Sequence, residues 1–265
     1  GNFSSSRYSN SNSEFKFFMC SFLLSSVKNS IFPSGVSRES TKNALRGLYI
    51  EINKTGISLV GSDGYRIAIT KENIINEQEK DILVPVENIL NIEKILREEK
   101  ETVELIIGEK DIKFELKEGE IYLKLLEGTY IDYKKPFLEE MKTEVIINKN
   151  DLINAVERMY LLSPEKKNNK IILRLINNLL KIETSSDIGY AKEEIIVDKM
   201  GEDNEFAINC KFLLDAIKNT DGEELKLKIG KNERFILIEE VENDRSQFLI
   251  MNLKKISNSQ KKSAN

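Results

Sequence analysis

The chain contains no histidine. That absence excludes a Ser-His-Asp or Cys-His nucleophile and any zinc site built on imidazole. Only two cysteines occur, Cys20 and Cys210, far apart and without a Cys-x-x-Cys spacing. They read as buried free thiols of a cytosolic protein. No apolar run approaches the roughly 20 residues of a membrane span. The opening "GNFSSSRYSNSNSE" has no apolar core, so it is no signal peptide; residues 1–13 read as a disordered leader or a linker. Residues 255–265 form a flexible, basic tail. A Gly-rich phosphate loop is missing too, as is any metal-ligand cluster or nucleophile–base constellation. Neither a metal nor a cofactor is expected.

What is present is enough hydrophobic residue, 40% of 265, for one large domain or two of ordinary size. Lys and Arg number 40 against 44 Asp and Glu, a formal charge of −4. A protein that grips DNA by neutralising phosphates is usually basic on at least one face. Either this chain ignores nucleic acid, or it segregates its positive charge and holds DNA by some means other than tight contact.

Most of the sequence is short alternating runs. They are "FKFFM", "LYIEI", "ISLVG", "RIAIT", "DILVPV", "VELIIG", "DIKFEL" and "IYLKLL", then "EVIIN", "KIILRL", "LLKIET", "AKEEIIV", "EFAINC", "LKLKIG", "RFILIEE" and "SQFLIMNL". Period-2 alternation predicts antiparallel strands with one face in a core and one wet. Four helical stretches separate them, about Ser21 to Ile31, Glu87 to Arg97, Asp151 to Leu161 and Lys211 to Asn219. The junctions "MCSFLLSSVKN" and "NCKFLLDAIKN" share the pattern C-x-F-L-L-x-x-[VI]-K-N, so a βαβββ unit recurs four times, twice in each half. The halves join through "EGTYIDYKKPFLEEMKT", with the boundary near Met141. In the third helix Leu152, Ala155, Val156 and Met159 make a core stripe, opposite Asn154 and Arg158. In the fourth, Phe212, Leu213, Leu214 and Ala216 face a core while Lys211 and Lys218 lie elsewhere. These polar faces are either ordinary solvated faces or one shared, mildly basic surface; Glu87 and Glu93 on the second helix weaken the latter reading.

One stretch, "GSDGYRIAIT" at 61–70, asks for more than turn chemistry. Gly and Asp after "ISLV" make an ordinary β-turn. The Tyr65-Arg66 pair at its exit is less easily explained as turn chemistry.

Together, the fourfold βαβββ repeat, "FAINCKFLLDAIKNT", "LVGSDGYRIAIT", "EGTYIDYKKP", "IGYAKEEI" and the terminal "FLIMNL" resemble the bacterial DNA sliding clamp, the β subunit of DNA polymerase III. The resemblance covers about Glu14 to Lys254. It implies an α+β fold of two clamp domains, 14–141 and 142–254, similar to the family's second and third. Each is a pair of βαβββ repeats with helices on the pore side and antiparallel sheets outside. It also implies a processivity factor that encircles duplex DNA without reading sequence, which resolves the charge puzzle. A closed ring slides on a modest basic lining, for which Lys28, Arg38, Lys42, Arg158, Lys211 and Lys218 are the candidates.

The family carries a groove between these two domains that accepts linear peptides from the polymerase III catalytic subunit, the clamp loader and repair proteins. The matching positions are Leu45, Ser62, Gly64, Tyr65, Arg66 and Ile67, the linker residues Ile131, Lys135 and Pro136, then Asn209 and Phe212. The terminal strand adds Leu249, Ile250, Met251, Asn252 and Leu253. In this comparison Gly64 allows close backbone approach, Ile67, Leu45 and Leu249 are apolar walls, and Tyr65 and Arg66 form the rim. The family often ends in Met/Leu-Pro-Met/Val-Arg, whereas this chain has Asn252 in place of Pro. The change frees a backbone N–H at the pocket rim and implies a different peptide preference.

A full-length protein of this kind is expected to be a homodimeric, head-to-tail, cytoplasmic ring. This chain alone is expected to be monomeric or weakly associated. A natural two-domain clamp closing as a trimer would also make six domains. Three other classes stay open. An enzyme would draw on scattered acids such as Asp63, Asp132, Asp187 and Asp215, a peptide-binding adaptor would never encircle DNA, and a structural β protein would do neither.

Overall fold

The computed structural model describes residues 15–19, 43–76, 79–98, 103–164 and 168–253. Cys20, Lys28, Arg38, Lys42 and the helix expected at Ser21 to Ile31 lie outside them. Four repeat units follow one another. The first has β1 (Phe15–Met19), β2 (Gly47–Asn53), β3 (Gly56–Ser62) and β4 (Arg66–Glu72). The second has β5 (Lys80–Pro85), α1 (Val86–Glu98), β6 (Val103–Ile107), β7 (Asp111–Leu116) and β8 (Gly119–Lys124). The third has β9 (Met141–Asn148), α2 (Lys149–Leu162), β10 (Lys170–Ile176), β11 (Leu179–Ser186) and β12 (Gly189–Ile196). After β13 (Asp198–Gly201), the fourth has β14 (Asn204–Asn209), α3 (Cys210–Lys218), β15 (Glu224–Gly230), β16 (Phe235–Glu240) and β17 (Ser246–Met251). The fold is thus α+β, with mostly antiparallel strands and few helices among the described residues.

The units complete one another by exchanging their first strands. β1 joins β6-β7-β8, while β5 joins β2-β3-β4; likewise β14 joins β10-β11-β12, and β9 joins β15-β16-β17. No unit therefore closes its sheet alone. The two halves then fuse, because β17 pairs with β4 in the register Leu249↔Ile67 and Ile250↔Arg66. The result is a nine-stranded sheet, β13-β9-β15-β16-β17-β4-β3-β2-β5, that runs from one half of the chain into the other.

Among the described residues, alternation sets three cores. Leu48, Ile57, Leu59 and Val84 meet α1 and Phe114 in the first half. Ala68, Phe248 and Ile250 meet α2 and α3 in the second. On the opposite face of the shared sheet, Val60, Ile67, Ile69, Phe235, Leu237 and Leu249 are covered by linker residues Tyr130, Tyr133 and Phe137. Leu152, Ala155, Val156 and Met159 are buried as the helical stripe predicts. Asn148 caps α2 by accepting from the N–H groups of Asn150 at 2.9 Å and Asp151 at 3.1 Å, and Asn209 caps α3 by accepting from Phe212 N–H at 3.2 Å.

One strand was not legible. Asp-Lys-Met-Gly in β13 has no apolar alternation, yet it pairs with β9 from Asp198↔Ile146 to Gly201↔Thr143. Gly201 has φ +103°, and a Cβ there would stand 2.1 Å from the Lys142 carbonyl oxygen. Only glycine permits that approach.

Candidate functional site

The turn at 61–70 is built by its own side chains. The Ser62 hydroxyl donates to the Arg66 carbonyl at 3.0 Å and accepts from Gly64 N–H at 3.1 Å. Asp63 Oδ1 accepts from the N–H groups of Tyr65 at 2.9 Å and Arg66 at 3.1 Å, an Asx turn. Gly64 takes φ +89°, and its Cα face looks onto Leu45, whose Cδ1 would lie 3.8 Å from an added Cβ. Tyr65 is left 49% exposed at the apex, while its carbonyl accepts from Met251 N–H at 2.9 Å. The turn is thereby stitched to the end of β17, in the other half of the chain.

β4 and β17 then sort the remaining candidates between two faces of the sheet. Ile67, Leu249 and Met251 lie on the face covered by the linker. Ile250 points to the helix-side core, and so does Arg66. Its guanidinium donates to Asp63 at 3.0 Å and to Asp215 of α3 at 2.8 Å, and its Cζ sits 3.9 Å from the centroid of the Phe212 ring. Both carboxylates are largely buried, so the charge of Arg66 is matched within the fold. Burial pushes the Asp215 carboxyl up, and the Arg66 guanidinium, with Lys211 and Lys218 nearby, only partly draws it back. Asp63 and Asp215 count only as acidic background in the sequence. With Asp215 149 positions from Arg66, no local signal pairs them.

The linker residues Ile131 and Lys135 are exposed, and Pro136 is half-buried. Linker aromatics that the sequence did not single out hold this segment down. Tyr130 stacks on Tyr49 with centroids 4.6 Å apart and planes 3° from parallel, and its hydroxyl donates to the Val60 carbonyl at 3.2 Å. Glu51 receives the Tyr133 hydroxyl and, at 2.5 Å, the Lys134 ammonium. Burial pushes the Glu51 carboxyl up, but these two donors together outweigh it and hold the group below its ordinary value. A carboxylate so lowered adds stability above its unfolded pKa and loses it as pH falls through its folded pKa. Glu51→Gln is therefore expected to speed amide hydrogen exchange across 128–140 about fivefold at pH 7, or about 1 kcal/mol. The difference should shrink as pH falls below the ordinary carboxylate range and vanish only once Glu51 is protonated in the folded chain. Equal exchange at pH 7 would mean that the aromatic contacts alone hold the linker.

Among the terminal residues, Leu249 and Ile250 are each 1% exposed, Met251 and Leu253 are half-buried, and Asn252 is 1% exposed. The N–H of Asn252 is not free as the missing Pro suggested. It donates to the Arg234 carbonyl at 2.7 Å, and the side-chain amide accepts from Ala207 N–H at 3.3 Å and donates to the Glu233 carbonyl at 3.0 Å. The accessible members of the predicted set are thus Leu45, Gly64, Tyr65, Ile131, Lys135, Pro136, Phe212, Met251 and Leu253. Ile67 and Leu249 lie beneath them, and Ser62, Asn209 and Asn252 brace the backbone. Of the pore candidates, Arg158 pairs with Glu193 at 2.6 Å and Lys218 with Glu157 at 2.6 Å. Lys211 is exposed on the first turn of α3. Cys210 is a buried thiol whose pKa burial pushes up to about 12.

Comparison with known proteins shows the family. Residues 25–132 match the family model of the DNA polymerase III beta subunit central domain, and residues 135–254 match that of its C-terminal domain. The chain is 26% identical over 217 residues to the beta sliding clamp of Bacillus subtilis, covering 80% of this chain and 57% of that protein. It is 28% identical over 219 residues to that of Staphylococcus epidermidis, covering 81% and 58%. The chain thus spans less than three fifths of the length of these relatives. The solved DNA polymerase III beta subunit of Pseudomonas aeruginosa superposes with a TM-score of 0.85 at 23% identity, over 93% of this chain and 68% of that one. That of Thermotoga maritima gives 0.85 at 22%, over 94% and 68%. With both family models accounting for most of its residues, this chain belongs to the DNA polymerase III beta subunit family, the bacterial sliding clamps.

Proposed function

We propose that this chain is the central and C-terminal part, 14–141 and 142–254, of a processivity clamp. The whole protein holds duplex DNA topologically, without sequence contacts, and tethers the polymerase III catalytic subunit, the clamp loader and repair proteins by their linear peptides. It does this in the cytoplasm, as a binding protein and not an enzyme. The observation that carries the peptide reading is the junction of β4 with β17. There exposed Tyr65 and half-buried Met251, joined backbone to backbone at 2.9 Å, stand at the edge of the apolar cluster of Ile67 and Leu249, the exposed linker residue Ile131 leads into that cluster through Tyr133, and the Asx turn fixes Tyr65. An exposed, mostly apolar patch at the edge of an apolar core suits a peptide with one or two large apolar anchors.

Ring closure has its own support. β12 has no neighbour on its outer side among the described strands, and it carries or adjoins exposed Ile188, Tyr190 and Ile196. An unpaired, apolar strand edge is a surface that another sheet extends. For this chain alone we expect a monomer or a weak association in sedimentation, because the family's first domain would supply the complementary edge.

The peptide reading is tested with a fluorescent Gln-Leu-Ser-Leu-Phe peptide. Micromolar binding is expected, weakened at least tenfold, about 1.4 kcal/mol, by Tyr65→Ser and by Ile131→Asp. Both positions are exposed, so a loss would not reflect unfolding. A folded, unmutated chain that binds no such peptide would overturn the reading.

A further inference from the structure

The apolar face beneath the linker extends beyond the proposed peptide site. There a cavity of about 400 Å³ opens on the same face of the nine-stranded sheet, past Tyr133. Ile69 and Ser58 line its strand side, Phe137 and Leu138 its linker side, and Gln247 of β17 closes it. Ile69 and Ile67 alternate on one strand and belong to one cluster with Leu249, so this cavity and the proposed groove share a continuous floor. Leu138 projects at its lip 84% exposed, an apolar side chain of the short 3-10 helix Lys135–Leu138 left largely in water. The charged residues around the opening are paired within the chain: Glu51 with Lys134, Lys71 with Asp244 at 3.0 Å, and Glu72 with Arg245. With every charge among the described lining residues matched, a charged occupant would lose hydration without gaining a partner among them. A neutral apolar group loses little and gains the floor.

We infer that this cavity is a second anchor site for the same extended partner peptide, and that it takes one large aliphatic or aromatic side chain beyond the core motif. The inference rests on the peptide-docking reading above. Tyr65 at one end and Lys71 at the other are six residues apart along the chain, about 20 Å in extended conformation. A partner passing over Ile131 and the linker would reach the cavity with about six further residues. The proposed first site fixes the segment, so the second anchor binds at high effective concentration and adds affinity without forming a site of its own.

The test uses the five-residue Gln-Leu-Ser-Leu-Phe peptide and two series of thirteen-residue peptides, extended at either end with Ser and Gly. In each series a single Leu is moved through the fifth to eighth added positions. One register is expected to bind at least fivefold more tightly than its all-Ser/Gly parent. Ser58→Arg, which fills the cavity, and Leu138→Ser should each abolish that gain and leave the five-residue peptide within twofold of its original Kd. No register with a gain, or a gain that survives both substitutions, overturns the second anchor while leaving the first site standing. If the five-residue peptide fails to bind the folded chain, the docking reading falls and this inference with it.

Discussion

Arg66→Ala is expected to destabilise the chain by about 3 kcal/mol, the cost of stranding a buried charge when its partner is removed. The side chain is 13% exposed and its two acceptors, Asp63 and Asp215, are 15% and 24% exposed. Removing the guanidinium leaves two carboxylates facing a vacated space and takes the cation away from the Phe212 ring. The loss falls on the seam between the halves, since Asp63 belongs to one and Asp215 to the other. The pH dependence gives the mechanism away. Asp215 already titrates above its ordinary value because of burial, and Arg66 is the cation that most opposes this. Without Arg66 the shift grows. A carboxyl with a raised folded pKa binds more protons folded than unfolded, so it costs stability as pH rises through that window. The deficit of the variant relative to wild type should therefore be larger at pH 7 than at pH 4. Arg66→Ala with Asp215→Asn should recover part of the loss at pH 7 and be less pH-dependent. Urea denaturation at both pH values measures this. A deficit below about 1 kcal/mol, or one that grows on acidification, would mean that the Arg66 pairs do not hold the seam and that the β4–β17 ladder, the shared apolar cluster and the Lys71 and Arg245 pairs join the halves without them.

The contrast with what the sequence offered is physical. Strand content was legible because a half-buried antiparallel strand writes its environment locally: "KIILRL" alternates, and Ile171, Leu173 and Leu175 are buried. The α2 stripe was legible for the same reason at the helical period. β13 was not, since its residues are mostly exposed and its position depends on the backbone gap at Gly201. Exchange of first strands between units was hidden because it joins segments far apart, and period-2 patterning says that a strand pairs without saying with what. The site divides in the same way. The Ser-Asp-Gly turn could be read from its own residues, and resemblance supplied the opposite wall. The side of the sheet on which Arg66 lies, and which of the many acids holds it, follow only from the β4–β17 register.

Asn252 shows how a single departure from the family pattern is absorbed. Asn252→Pro, the residue the family often carries there, is expected to cost about 4 kcal/mol and Asn252→Ala about 2 kcal/mol, at about 1–3 kcal/mol for each buried polar group left unpaired. Alanine forfeits the amide that serves Ala207 N–H and the Glu233 carbonyl. Proline forfeits these and also the N–H that reaches the Arg234 carbonyl. At 1% exposure, water has little access to replace them. The consequence reaches the site through β14, because Ala207 lies two residues before the Asn209 cap that starts α3, the helix bearing Phe212 and Asp215. Peptide affinity is expected to stay within twofold for Asn252→Ala, since the side chain is spent on the backbone and not offered at the surface. Thermal or urea unfolding of both variants, with the peptide titration alongside, decides the point. If Pro proves no worse than Ala, the bond to Arg234 contributes nothing. If Ala shifts peptide affinity tenfold while leaving stability unchanged, Asn252 belongs to the peptide site after all.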